Sequence, residues 1–261
     1  MGSRIAVAIP GILLAIVVVY FGGPAFVAAV VAIALIGTYE YLNLVAGIAP
    51  LRWAAYLAAA LTVALPAYID PPERAVAMGA AASVILAAVA GLILRNREEV
   101  TIRVALTSLG AIYLGVPLGL FVATRELPNG AAAIANILVG TWAFDTFSYV
   151  GGRLWGSHPI APRVSPKKTV EGFVVGVIGG TVAVWVAGLY MDWIDHLQSL
   201  TLGSIICAVA YVGDLFESMI KRDIGVKDSG RILAGHGGVL DRFDAILFTS
   251  VAGYFATIWL V

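Results

Sequence analysis

The sequence predicts an all-α, polytopic integral membrane protein with about nine transmembrane helices. Three observations predict it. The chain is 61% hydrophobic and 12% charged, with a mean hydropathy of +0.95, whereas a soluble domain is about 25% charged. Apolar runs near the roughly 20 residues needed to cross a bilayer follow one another along the chain. Lys and Arg divide unevenly among the connections, as they do between the two sides of a membrane.

In order, the runs cover residues 5–21, 25–45, 53–69, 75–94, 104–124, 131–149, 170–190, 200–220 and 239–261. The second carries Glu40 near its end, the sixth Asp145, and the eighth is apolar until Asp214. A cleaved signal peptide is the alternative for the first run, with Arg4 before it. A second apolar run within four residues argues against that. Runs one to five make an N-terminal half, residues 1–124, and runs six to nine a C-terminal half, residues 125–261, which carries the charged motifs.

Nine crossings with the N-terminus inside place Arg4, Arg52, Arg95, Arg97, Arg103, Arg153, Arg163, Lys167, Lys168, Lys221, Arg222, Lys227, Arg231 and Arg242 on the cytoplasmic side. Only Arg74 and Arg125 fall outside. The split is fourteen to two and uses all sixteen basic residues. It predicts a multi-pass protein of the cell membrane with its motifs at the cytoplasmic face. The formal net charge is zero, so bulk charge selects no partner. Cys207 stands alone in an apolar run and reads as a small core residue. Glycines such as Gly176, Gly179 and Gly180 read as close helix packing through small residues.

The charge gathers in one place. Between Asp214 and Asp244 lie eleven of the thirty-two charged residues: six acids and five bases in thirty-one positions. A charge at the bilayer centre costs roughly 2.5–3.5 kcal/mol even on the lenient insertion scale, so charge this dense beside lipid needs a reason. If the eighth helix continues to Ile220, Asp214, Glu217, Ser218 and Lys221 share one face. Such a face can offer oxygens to a hard cation, or it is a solvated helix end with an internal ion pair. Gly235-His236-Gly237-Gly238, followed by Asp241-Arg242-Phe243-Asp244, decides for the cation. Glycines let backbone N–H groups approach an anion, and a helix N-terminus favours phosphate and carboxylate alike. A glycine turn with acids capping the helix explains Asp244, but not the gathering of Arg242, Arg231 and Lys227. The pattern is neither a Walker loop nor a dinucleotide fingerprint.

A second cluster follows the sixth run: Asp145-Thr146, Tyr149, Gly151-Gly152-Arg153, then Arg163, and Ser165-Pro166-Lys167-Lys168-Thr169-Val170-Glu171-Gly172. Asp145 is intramembrane by hydropathy and so a functional candidate, with a helix–helix hydrogen bond as the alternative. Arg163, Lys167 and Lys168 are either a phosphate-binding loop or an anchor to anionic headgroups. Ser-Pro-Lys-Lys also occurs in nucleic-acid-binding tails, a role excluded for a chain of nine membrane helices.

Ser218-Met-Ile-Lys221-Arg222, Lys227-Asp228-Ser-Gly and Gly235-His236-Gly237-Gly238-Val-Leu-Asp241-Arg242-Phe-Asp244 resemble the signature of the CDP-diacylglycerol synthases, also called phosphatidate cytidylyltransferases. The block from Asp145 to Gly172 resembles that family's second motif. One departure is Ala234, where the family usually has proline. The resemblance implies condensation of CTP with phosphatidate to CDP-diacylglycerol and pyrophosphate, with magnesium and a candidate potassium ion beside it. It implies Asp214, Asp241, Lys221 and Arg222 as catalytic groups, with Asp214, Asp241, Glu217 and Asp145 at the metal. Ser165, Lys167, Lys168, Lys227, Arg231, Gly235, His236, Gly237, Gly238 and Arg242 are the expected substrate contacts. The expected partners are CTP, phosphatidate, membrane lipids and a second copy in a homodimer, with no nucleic acid. Asp214 and Asp241, at two helix ends, are expected to share a cation. A CTP-dependent lipid kinase and an ion-coupled transporter are the rival functions.

Overall fold

A computed structural model describes residues 15–95, 98–230, 232 and 237–261. Its elements are α1 (Gly23–Leu44), α2 (Arg52–Ala64), α3 (Pro72–Ile93), α4 (Val100–Glu126), α5 (Gly130–Trp155), β1 (Pro159–Ala161), β2 (Ser165–Thr169), α6 (Val170–Gly188), α7 (His196–Asp223) and α8 (Leu240–Leu260). Among the described residues, α1, α3, α4, α6, α7 and α8 are long and apolar enough to cross a membrane. The chain is therefore an all-α membrane protein in class, while the finer count of nine is not reached.

The shortfall has local causes. Of the first predicted run, residues 5–14 lie outside the described residues, and 15–21 are helical. The third run folds as α2, thirteen residues long, followed by a 3₁₀ turn Leu65–Ala67 that contains Pro66. Proline lacks the N–H that would continue the helix, and thirteen residues reach only about 20 Å. The sixth run is the 26-residue α5, diluted by Asn136 and Asp145. The predicted loop at Ser165–Thr169 is instead one strand of an antiparallel hairpin with Pro159–Ala161.

The chain packs as two units, residues 1–127 with 228–241, and residues 128–227 with 242–261. In the first, α1 to α4 pack through small residues. Gly79 on α3 and Gly119 on α4 leave no room for a Cβ against Thr62, and Gly110 sits against the Tyr41 ring. The connection into α2 is closed by the Leu51 N–H on Thr107 Oγ1 at 2.8 Å and the Arg103 Nε on the Ala49 carbonyl at 2.8 Å.

In the second unit, α6 is the glycine-lined helix the sequence suggests. Gly176 lies on Phe144, Gly179 on Phe147, and Gly180 on Cys207. Cys207 is buried and free, in a core with Phe144, Ala210, Tyr211 and Ala245. Thr141 and Thr249 hydrogen-bond at 2.9 Å, joining α5 to α8 inside that core. Thr169 accepts the Gly172 N–H at the start of α6, and Asp195 and Gln198 form a capping box on α7. These caps fix where the hairpin ends and where α7 begins.

Candidate active site

In the second unit α7 stays helical to Asp223, so Asp214, Glu217, Ser218 and Lys221 do share a face. Glu217 is 1% exposed and pairs with the Lys221 ammonium one turn on. Lys168, from β2, reaches Asp214: Nζ to Oδ2 is 2.6 Å, a salt bridge by distance without hydrogen-bond alignment. The same ammonium stands 5.6 Å from the centre of the Tyr211 ring. Lys168 is half-buried at the inner end of the strand, while its neighbour Lys167 is exposed.

Two more carboxylates face this pair. Asp145 on α5 is in electrostatic range of Asp214 and Lys168. Asp244 on α8 is in range of Asp214, Asp145 and Lys221. Three helices thus bring like charges into electrostatic range of one another, next to a helix contact so close that a Cβ on Gly213 would strike the Asp244 backbone carbonyl. Asp145, Asp214, Glu217 and Asp244 against Lys168 and Lys221 leave a formal charge of −2. Among the described residues no three acids, histidines or cysteines form a ready-made metal cage. Magnesium does not need one, since it usually takes one or two carboxylates and fills its shell with waters and substrate phosphates.

The hairpin is braced at both ends. The Arg222 Nε donates to the Val164 carbonyl at 3.2 Å, which ties the turn to the end of α7. Glu171 accepts the Ser157 and His158 N–H groups and pairs with the His158 ring. Ser165 is half-buried on β2, and Lys227 is exposed beyond α7.

The rest of the motif stretch belongs to the first unit. Asp241, in the first turn of α8, accepts the Gly238 N–H at 2.7 Å and the Ser229 N–H at 3.0 Å on the same Oδ2. Gly237 has φ +81°, a left-handed conformation where side chains are strained. The Val239 and Leu240 N–H groups donate to Glu40, at 3.0 Å to Oε1 and 2.8 Å to Oε2. Of the N–H groups that sequence reasoning offers to phosphate, those of Gly238, Val239 and Leu240 are thus held by carboxylates of the chain itself. Glu40 takes the two N–H groups that open α8, while Asp244 Oδ1 accepts the Ala245 N–H at 2.8 Å within the helix and lies in electrostatic range of Asp214. Arg231, Gly235 and His236 lie outside the described residues. Arg242 is exposed on the first turn of α8. Asp214 and Asp241 fall in separate units.

Glu40 is the functional candidate that sequence reasoning passed over. The signal was present: an acid in an apolar run is a candidate by default, the rule that singled out Asp145.

Comparison with known proteins gives the family. The model of the cytidylyltransferase family matches residues 2–259. The chain is similar to a phosphatidate cytidylyltransferase of Staphylococcus haemolyticus, 43% identical over 137 residues, 52% of each chain. It is 35% identical over 166 residues to one of Thermotoga maritima, 61% of each chain. With one of Mycobacterium bovis it shares 38% over 130 residues, 48% of this chain and 41% of that one. The matched part thus spans about half the length of such relatives.

Proposed function

The chain belongs to the cytidylyltransferase family, and on that premise we propose that it condenses CTP with phosphatidate, giving CDP-diacylglycerol and pyrophosphate. A phosphate oxygen of the lipid attacks the α-phosphorus of CTP in line. The new P–O bond forms as the bond to the β-phosphate bridging oxygen breaks, and pyrophosphate leaves with that electron pair. The lipid phosphate is already ionised, so no general base is required.

The observation that supports the proposal is that Asp145 and Asp244 both lie in electrostatic range of Asp214, the acid that Lys168 pairs with. Like charges held together in an apolar bundle repel unless a cation joins them. All the donors are oxygens, and the formal −2 matches one hard divalent ion. Asp214, with Asp145 and Asp244 beside it, would hold magnesium. When bound, the ion neutralises charge on the triphosphate and on the leaving pyrophosphate. Lys168, which now spends its charge on Asp214, is placed to pass to a substrate phosphate. Lys221 is held by Glu217 in a fixed position. Catalysis of this kind rests mainly on positioning and electrostatics.

The fourteen-to-two division of Lys and Arg supports nine crossings with the motifs at the cytoplasmic face, where CTP is available. The diacyl chains stay in the bilayer while the headgroup meets the nucleotide.

The test is membranes or purified protein given phosphatidate, magnesium and CTP labelled at the α- or γ-phosphate, with and without potassium. The α-label is expected in lipid and the γ-label in pyrophosphate. A γ-label in lipid with release of CDP would instead show a lipid kinase.

A further inference from the structure

We propose that Glu40 is a positioning residue for the reaction, holding the motif segment 228–241 in its working conformation from a helix 200 residues away in sequence. The inference rests on the activity proposed above. Glu40 does not touch the reacting atoms in this reading; it acts through the backbone of the motif.

The geometry points one way. Glu40 is 1% exposed on α1. An ionised carboxylate only accepts hydrogen bonds, and its two oxygens each take one N–H, from Val239 and Leu240. Those donors open α8, whose N-terminus carries partial positive charge that favours an anion. The motif also packs on the carboxylate from its other end. A Cβ at Gly230 would collide with Glu40 Oε1, Cδ and Cγ, and one at Gly238 with Oε2. Both ends of the segment therefore rest on one buried side chain. Asp241 then ties the two ends to each other through Ser229 and Gly238. With both carboxylates in place the two described ends of the segment are held together before any substrate arrives.

An ordinary helix cap would be replaceable. This one is not, because an amide in place of the carboxylate turns an N–H donor toward an N–H donor. The shape of Glu40→Gln is nearly that of the native residue, so the helices can still pack while the motif shifts. Displacement by about 1 Å of a group that orients a reaction can lower the rate by about a hundredfold.

The experiment compares wild type, Glu40→Gln, Glu40→Asp, Gly230→Ala and the double variant Glu40→Asp/Gly230→Ala, all full-length in detergent. It reads kcat and KM for CTP and phosphatidate, thermal unfolding, and amide hydrogen exchange over residues 228–241. Glu40→Gln is expected to lose about a hundredfold in kcat with KM nearly unchanged, to keep its unfolding transition, and to exchange faster at Val239 and Leu240. The shorter aspartate gives room for a Cβ at 230, so the double variant should be more active than Gly230→Ala alone. Wild-type kcat in Glu40→Gln, or unchanged exchange at Val239 and Leu240, overturns the proposal. So does loss of the folded state in every variant, which makes Glu40 a folding residue only. If the wild-type protein makes no CDP-diacylglycerol, the proposed activity fails, while the exchange readout still decides whether Glu40 holds the segment.

Discussion

Lys168 and Asp214 meet with 2.6 Å between Nζ and Oδ2, one from the hairpin and one from the middle of a membrane helix. Each already has an opposite charge where the proposed reaction needs one. A magnesium ion can take the Asp214 oxygen and a phosphate can take the ammonium, so neither group has to be desolvated afresh when substrate binds.

Asp214→Asn is expected to remove nearly all turnover while the protein inserts and purifies normally. Asparagine keeps the shape and loses the charge. Removing a main electrostatic group at a transferring phosphate costs on the order of 3 kcal/mol, about a hundredfold in rate. Asp244→Asn is expected to fall nearly as far, because Asp244 lies in electrostatic range of Asp214. Magnesium-dependent activity of each purified variant checks both; wild-type activity with an unchanged magnesium midpoint in Asp214→Asn would remove the cation from this site.

Lys168→Ala should reduce kcat far more than Lys167→Ala. The two are adjacent on a strand and face opposite ways, and only Lys168 reaches the acids. Part of the Lys167→Ala loss should return at high substrate. Side-by-side saturation curves for CTP and phosphatidate separate the two; equal effects would mean the hairpin presents both lysines alike.

Asp241→Asn should loosen its own loop. Its carboxylate accepts from Ser229 and Gly238, and an amide retains one acceptor oxygen in place of two. Faster amide exchange at Ser229 and Gly238 and at least a tenfold loss of kcat are expected. Unchanged exchange would mean that these two bonds do not hold the loop.

A single cysteine near Asp192 should react with a membrane-impermeant reagent in sealed cells, and one near Lys227 should not. The reverse pattern would place the motifs on the side away from CTP.

Local patterns were readable in advance. The helices follow from apolar run length, the Asp214 to Lys221 face from the period of an α-helix, and the packing of Gly176 and Gly180 from their small size. What failed to show was non-local. The third run shortens where a 3₁₀ turn containing Pro66 follows α2, and a proline alone does not announce this, since Pro117 is carried inside α4. The hairpin escaped notice because two strands of three and five residues leave too short a pattern to read. Glu40 is 199 residues from Val239, and no spacing rule links positions so far apart. Asp244 resembled a cap because its sequence neighbours did; besides the Ala245 N–H on its own helix, it lies in electrostatic range of acids on α5 and α7.

The Glu40 bonds change what the N-terminal helices are for. A fragment starting at Pro128 would retain every residue of the signature, yet its Val239 and Leu240 amides would lose the Glu40 acceptor, a loss of about 1–3 kcal/mol for each group left buried and unpaired. The amino-terminal helices are thus a template as well as an anchor. Supplying residues 1–127 as a separate polypeptide should restore order to a loop encoded at the other end of the gene.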